Sequence, residues 1–212
     1  PALIVPKFDI QARLLQIGIT AERVPIDLFE EEDRVGTVRT DRLQAELRAS
    51  AVLANTVGLA FSLRPEWYEQ VPEVGASDAA TRSHMVQGRT TMYIDTLDDP
   101  IFPQRGLRVA ASLETADAAL LGNQTLTQAT ADATGALSLT RTLAVHSHAT
   151  VGYTLQGTPP LHYRYRAGGA FQHGVWEERQ FPLLGYQVQE QSGPHLQRLG
   201  AALQLQIWDD AY

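Results

Sequence analysis

Hydrophobic and polar side chains alternate with a period of two along most of this sequence, which is the pattern of β-strands with two different faces. Between Val38 and Leu53, one face carries Leu and Ala, whereas the other carries Gln, Glu, Arg and Ser. The second face is too polar for a dry core, but it suits the wall of a water-filled space. Helical spacing of apolar residues is scarce, so the sequence predicts an all-β fold.

The connections between the predicted strands are alternately long and short. The predicted strands cover residues 4–19, 38–53, 57–67, 85–95, 107–113, 125–137, 142–156 and 196–208. We interpret residues 21–36, 69–83 and 157–194 as long loops, and the region around Asn55 as a short turn. This alternation is typical of outer-membrane barrels, which have long extracellular loops and short periplasmic turns. We therefore predict about eight strands of an antiparallel transmembrane β-barrel.

We interpret residues 1–212 as a single partial barrel domain, truncated at both ends. The chain starts with Pro-Ala-Leu-Ile-Val-Pro, without an initiator Met or a signal-peptide pattern. Its last predicted strand is followed by no closing element. The longest uncharged run, residues 49–63, is shorter than the ~18–20 apolar residues of a transmembrane helix. A membrane crossing by this chain would therefore use strands.

Composition argues against several classes of function. The net charge of −7 argues against nucleic-acid binding, because a surface that follows phosphates needs clustered Lys and Arg. The sequence has no cysteine, so neither a disulfide framework nor a thiolate metal site is expected. It also has no G-x-S-x-G motif and no Gly-rich phosphate loop. We predict no catalytic residue, no cofactor and no enzyme activity in this chain.

His146 and His148 are the strongest candidates for metal ligands. Residues two apart on a strand share one face, so both side chains would point the same way. A zinc site in a protein requires more ligands than this pair, and no further ligand is near them in sequence. We interpret both as polar residues that line a lumen, and we predict no metal site.

Residues 93–109 contain a tight turn between two predicted strands. The turn is built from Asp and Pro, which set turn dihedral angles, and ends at a Gly that avoids a side-chain clash. The residues that define it are Asp95, Asp98, Pro100, Pro103 and Gly106. A second group of glycines and apolar residues lies in the long segment 157–194. Its motif residues are Gly168, Gly169, Leu184, Gly185 and Tyr186.

The turn resembles the D-T-x-D-x-P-x-x-P-x-x-G turn of the bacterial surface antigen superfamily of outer-membrane barrels. The second motif resembles that family's Gly-Gly pair and V-R-G-F/Y lid loop, which folds into the lumen. Leu184 stands where assembly factors of the family have Arg, so the charge-assisted contact of that Arg would be missing. The resemblance implies a complete barrel of about sixteen strands, of which this chain is the middle portion.

Two further features resemble the barrels of patatin-like phospholipases. One is the Leu-Leu-Gly-Tyr form of the lid motif followed by Ser192-Gly193, and the other is residues 22–29. This resemblance implies a barrel that anchors or exports an attached patatin-like lipase, in the outer membrane of a Gram-negative bacterium. The implied partners are outer-membrane lipids, the remainder of the barrel and an N-terminal passenger domain. An outer-membrane assembly factor and a soluble β-rich ligand-binding protein remain alternatives.

Two expectations concern positions in the barrel. We expect an aromatic girdle formed by Trp67, Tyr68, Tyr93 and Trp208, which lie near strand ends. We expect segment 157–194 to fold into the concave face, with Leu184, Gly185 and Tyr186 near lumen-facing residues such as Arg108 or Glu114. With Leu184 in place of Arg, packing of Phe181 and Tyr186 is expected to hold the segment more than an ion pair does.

Overall fold

The computed structural model describes residues 11–30, 33–54, 56–75, 80–169, 179–183 and 190–205. Eight of its strands form one antiparallel sheet, in the order β1-β2-β3-β4-β5-β6-β7-β11. These strands are β1 Gln11–Glu30, β2 Asp33–Ala54, β3 Val57–Val74, β4 Thr81–Asp95, β5 Arg105–Ala116, β6 Leu126–Ser138, β7 Leu143–Gln156 and β11 His195–Leu205. The sheet curves into a half-barrel. The predicted all-β antiparallel fold is therefore confirmed.

The remaining elements are short and lie in the long connections. They are α1 Ala118–Leu121, a 3₁₀ turn Leu161–Tyr163, β8 Tyr165–Ala167, β9 Gln180–Phe181 and β10 Gln191–Gly193. The last three form a small separate sheet, in which β8 pairs with β9 in parallel and with β10 in antiparallel fashion. Within the described residues, no helix is long and apolar enough to cross a membrane.

Two of the predicted long loops are largely strand. The pairing of β1 with β2 continues to Glu30 and Asp33, and β3 runs to Val74, so most of residues 21–36 and 69–74 belong to the sheet. Cross-strand ion pairs hold these polar hairpin ends together, and Arg23 lies 2.7 Å from Asp41. The apolar alternation fades here because the outward face becomes polar, with Arg23, Asp27 and Asp41, although the backbone ladder continues and Ile26 stays buried on the inner face. The prediction of these loops from hydrophobic patterning was therefore wrong.

The outward face of the sheet is aliphatic and exposed. Ile17 is 78%, Phe61 54% and Leu199 84% exposed, and similar side chains cover the outward positions of the neighbouring strands. A continuous apolar surface of this extent is typical of a face that meets lipid or another protein. The inward positions carry the opposite pattern, as on β3, where Ser62 and Glu66 are buried beneath the concave face.

The expected aromatic girdle was partly wrong, because the strand registers turn two of its residues inward. Trp67 faces outward and is 53% exposed, as a girdle residue would be. Tyr68 is the next residue on β3, so it points inward, where it is 5% exposed. Tyr93 also points inward, because its ring occupies the space that a side chain at Gly58 would need. Trp208 lies outside the described residues.

The core lies on the concave side, between the sheet and the long segment that follows β7. Its buried cluster combines inward residues of four strands with one residue of that segment. The cluster consists of Tyr68, Met85, Ala116, Leu126 and Tyr163. The segment is therefore packed against the inner face, and the candidate site lies where the two meet.

Candidate functional site

Part of the segment between β7 and β11 folds against the concave face. We call its described residues, 157–169, 179–183 and 190–194, the lumenal segment. Residues 165–169 of it are all buried. The sheet β8-β9-β10 gives the segment its own backbone pairing, so its polar main chain needs few partners from the barrel. Side chains therefore make the contacts that join it to the inner face.

The first contact is made by His162, at the 3₁₀ turn. Its Nε2 lies 2.8 Å from Oε1 of Glu66, and neither side chain is exposed. On its other side, Nδ1 lies 3.5 Å from Nε2 of Gln70. Burial lowers the pKa of His162, although Glu66 opposes that shift. The neutral tautomer that fits these partners accepts from Gln70 at Nδ1 and donates from Nε2 to Glu66.

The carboxylate of Glu66 is the centre of a buried polar network. The hydroxyl of Tyr163 donates to its Oε2 over 3.0 Å. Arg42 lies 3.4 Å from the same oxygen and also pairs with Glu22 at 2.8 Å. Both carboxylate oxygens therefore have partners, which is the condition under which a buried charge is tolerated.

The second contact is made by Arg179. Its Nη2 pairs closely with Oε2 of Glu114, and its Nη1 donates to Oε1 of Gln128 over 2.5 Å. The guanidinium also lies over the ring of Tyr163, 4.6 Å from the ring centre. Glu114 has a second cationic neighbour in Arg89, at 3.3 Å. Arg179 therefore joins the segment to β5 and β6 through charge-assisted bonds.

The third contact is made by Tyr165 on β8. Its hydroxyl lies 2.9 Å from Oγ1 of Thr130 on β6. Its ring lies against Gly152 on β7, where an added Cβ would be only 2.5 Å from the ring. Glycine at this position therefore provides the space in which Tyr165 docks.

The structure changes the expected means of docking. The sequence predicts packing rather than an ion pair because Leu184 replaces an Arg, but Arg179 provides an ion pair to Glu114 a few residues earlier. Phe181 is buried, as expected. Leu184, Gly185 and Tyr186, which were expected near Arg108 or Glu114, lie outside the described residues, whereas Gly168 and Gly169 of the same motif are described.

Gly168 and Gly169 join β8 to the residues after β9. Their φ angles are 142° and 76°, which a residue with a side chain adopts at a cost. The N–H of Gly168 donates to Phe181 O over 3.1 Å, and the carbonyl of Gly169 accepts from Leu183 N–H over 3.0 Å. The glycine pair thus brings together the two described parts of the lid region.

The turn residues lie together at the opposite end of the sheet, between β4 and β5. Oδ1 of Asp98 accepts from the N–H groups of Gln104 and Arg105, and these bonds hold the pKa of Asp98 below its usual value. Asp95 pairs with Arg108 at 2.8 Å. Gly106 has a φ of 111°, and a side chain there would clash with the carbonyl of Thr96. Pro100 is exposed and Pro103 is buried within the same turn.

His146 and His148 do not converge with other metal ligands. No group of His, Cys, Asp or Glu in the part of the chain that the structure describes could hold a metal ion. Nε2 of His148 lies 2.9 Å from Oγ1 of Thr150 and 3.3 Å from Asp132. Both histidines occupy inward positions of β7, opposite Ala136 and Thr134 of β6.

The sequence matches the model of the Omp85 superfamily domain over residues 15–190. This chain therefore belongs to the Omp85 superfamily. No curated protein matches it. The resemblance to surface-antigen barrels is thereby confirmed at the level of the superfamily. Members are outer-membrane proteins of Gram-negative bacteria and organelles, with barrels of the translocator or assembly type that are generally not enzymes.

Proposed function

We propose that this chain is part of a larger barrel, of about sixteen strands, that anchors or exports an attached patatin-like lipase. The proposed place is the outer membrane of a Gram-negative bacterium, with lipids around the barrel and the lipase as an N-terminal passenger. The Leu-Leu-Gly-Tyr motif at 183–186, Ser192-Gly193 and residues 22–29 support this choice within the superfamily. The soluble ligand-binding alternative does not fit an Omp85 superfamily domain.

The observation that carries the proposal is the lumenal segment docked inside the half-barrel. His162, Tyr163 and Arg179 reach Glu66 and Glu114 on the inner face and bury both carboxylates. The segment fills part of the lumen of the half-barrel, which supports a resting state in which the lumen is closed. Closure suits an anchor that must not leak, and undocking of the segment would be needed for export.

The test is made on the protein expressed from the complete gene and purified from outer membranes. A fluorophosphonate probe for serine hydrolases should label the band that also shows heat-modifiable migration, which is typical of a folded barrel. A Ser→Ala variant in an upstream G-x-S-x-G motif should abolish the labelling without changing the migration. A folded barrel without labelling, preceded by repeated β-α-α-β modules, would refute the lipase proposal.

A second candidate, an outer-membrane assembly factor, is favoured by one specific observation. Assembly factors of the family were distinguished above by an Arg in the lid motif, which this sequence lacks at Leu184. Arg179 nevertheless pairs with the inner-face Glu114. Depletion of the protein in its host separates the two functions: an assembly factor should be needed for insertion of other barrels, whereas a lipase anchor should not.

A further inference from the structure

A sharp boundary between apolar and charged residues crosses the outward face of β1 to β4. Four outward residues lie in register across these strands: Ala21, Leu43 and Trp67 end the apolar surface, and the polar His84 stands at the same level on β4. The next outward positions form a second register row, Arg23, Asp41, Glu69 and Arg82. We call this second row the charged row. It has cations at both ends and carboxylates between them.

The charged row lies at the level where the hydrocarbon layer should end. The outward apolar stretch of β3 runs from Leu59 to Trp67, about 26 Å along the strand at ~3.3 Å per residue. A tilt of ~40° reduces this to about 20 Å, near the ~25 Å apolar band of outer-membrane barrels. The row lies on the side of the longest connection, between β7 and β11, and long connections are extracellular in such barrels. It therefore borders the outer leaflet.

A groove of about 660 Å³ lies between the two rows, lined by residues of both, including Trp67 and Leu43. Arg23 and Arg82 bound it with side chains that are 71% and 80% exposed. Nε of Arg82 donates to Glu69 over 2.9 Å, whereas its Nη groups bond to no described residue. Exposed ion pairs of this kind contribute only ~0–1 kcal/mol, so both guanidinium groups can also bind an anion.

We propose that this groove binds a phosphorylated glycolipid of the outer leaflet, with phosphate on Arg82 or Arg23 and an acyl chain along Leu43 and Trp67. Guanidinium groups bind phosphate through paired, charge-assisted hydrogen bonds. Trp is the side chain preferred at the boundary between acyl chains and headgroups. The outward positions of β5 to β7 carry one cation among the described residues, Arg105, which lies at the opposite end of β5 beside the turn to β4, so none lies level with the charged row there. This proposal rests on the membrane placement of the family and not on the lipase.

The experiment measures lipopolysaccharide retained by the complete protein. The wild type and variants are purified in detergent, incubated with purified lipopolysaccharide, washed, and analysed by native mass spectrometry. R82Q should reduce the retained lipid several-fold, and R23Q/R82Q by about tenfold or more. The matched control is R34Q, which also removes an exposed Arg paired with a carboxylate, Asp27, but near the hairpin tip. It should retain lipid like the wild type.

Two comparisons decide the outcome. Lipopolysaccharide treated with phosphatase should bind the wild type and R23Q/R82Q equally, whereas R82K should keep most of the binding of intact lipid. Equal retention by all variants, or an equal loss in R34Q, would overturn the proposal. If the double variant lacks heat-modifiable migration, it has not folded into a barrel. The lipid retained by R82Q is then compared with that retained by R34Q, and this comparison decides the outcome. Labelling by the serine-hydrolase probe is read separately, so failure of the lipase proposal remains distinguishable.

Discussion

Replacing Arg179 by Ala should release the lumenal segment from the inner face. Arg179 makes one ion pair with Glu114 and one hydrogen bond to Gln128 on the inner face, whereas its contacts with Tyr163 lie within the segment. When the segment undocks, water hydrates both Arg179 and Glu114, so only the net value of the two inner-face contacts is lost. A hydrogen bond to a charged group contributes ~1.5–3 kcal/mol net.

Arg89 and Gln87 remain beside Glu114 in the variant, at 3.3 and 3.2 Å, so the carboxylate is not left without partners. We therefore expect a loss of about 2–3 kcal/mol of docking free energy, which is a ~30–150-fold increase in the opening equilibrium. Hydrogen exchange measured by mass spectrometry should detect it, because residues 165–169 are buried in the docked segment and undocking would expose them to water. Peptides covering residues 161–169 should exchange ~30–150-fold faster.

The matched control is R164A, which removes an Arg from the same segment whose side chain makes no described hydrogen bond. It should leave exchange in residues 161–169 unchanged. A double-mutant cycle of R179A with E114Q should give a coupling of ~1–3 kcal/mol, because the two side chains are in direct contact. Unchanged exchange in R179A with an intact barrel, or the same acceleration in R164A, would show that the ion pair does not hold the segment.

Three further predictions test the site and the turn. Gly152→Val should displace Tyr165, whose ring is 2.5 Å from the position of the added carbon, and should raise pore conductance in planar bilayers; Gly200→Val, where a side-chain carbon meets nothing within 4 Å, is the control. Tyr186→Ala should also raise conductance and Leu184→Ala should change it less, and equal effects would contradict the lid proposal. Because the pKa of Asp98 is lowered, its stabilisation of the turn is present above the unfolded value of ~3.9 and is lost as pH falls through the folded value. The protection factor of the Arg105 amide, which compares its exchange with the intrinsic rate at each pH, should therefore fall on acidification, whereas in Asp98→Asn it should not follow this transition.

The number and order of the sheet's strands, and the side of the sheet to which each side chain points, were predictable because they depend on local alternation. Leu59, Phe61 and Leu63 face outward and Ala60 and Ser62 inward, as the period-two pattern predicts. The hairpin ends were not predictable in this way. Cross-strand pairs such as Arg39 with Glu73, 3.1 Å apart, join residues far apart in sequence, and the outward face there is largely polar. Alternation detects a strand by the difference in hydrophobicity between its two faces. A predicted strand therefore ends where that difference ends, even if the backbone hydrogen bonds continue.

The docking contacts were hidden from the sequence for a different reason. Alternation places Glu66 and Glu114 on the inner face, but a polar inner residue can meet water or a docked segment equally well. His162 and Arg179 lie in the longest loop, where no periodicity fixes the direction of a side chain. The signal that was present is the clustering of aromatic and basic residues in 161–166, which is unusual for a solvated loop.

The location of these contacts inside a wet lumen limits their strength. In a dry core, breaking a buried ion pair costs about 3–5 kcal/mol because one charge remains without water. In the half-barrel, undocking of the segment returns Glu66, Glu114 and Arg179 to water together, so each recovers hydration. Polar contacts in this place can therefore specify one docked arrangement while they keep the free energy of opening low. A segment held by aliphatic packing alone would lack that specificity, which accounts for the concentration of charge at this contact.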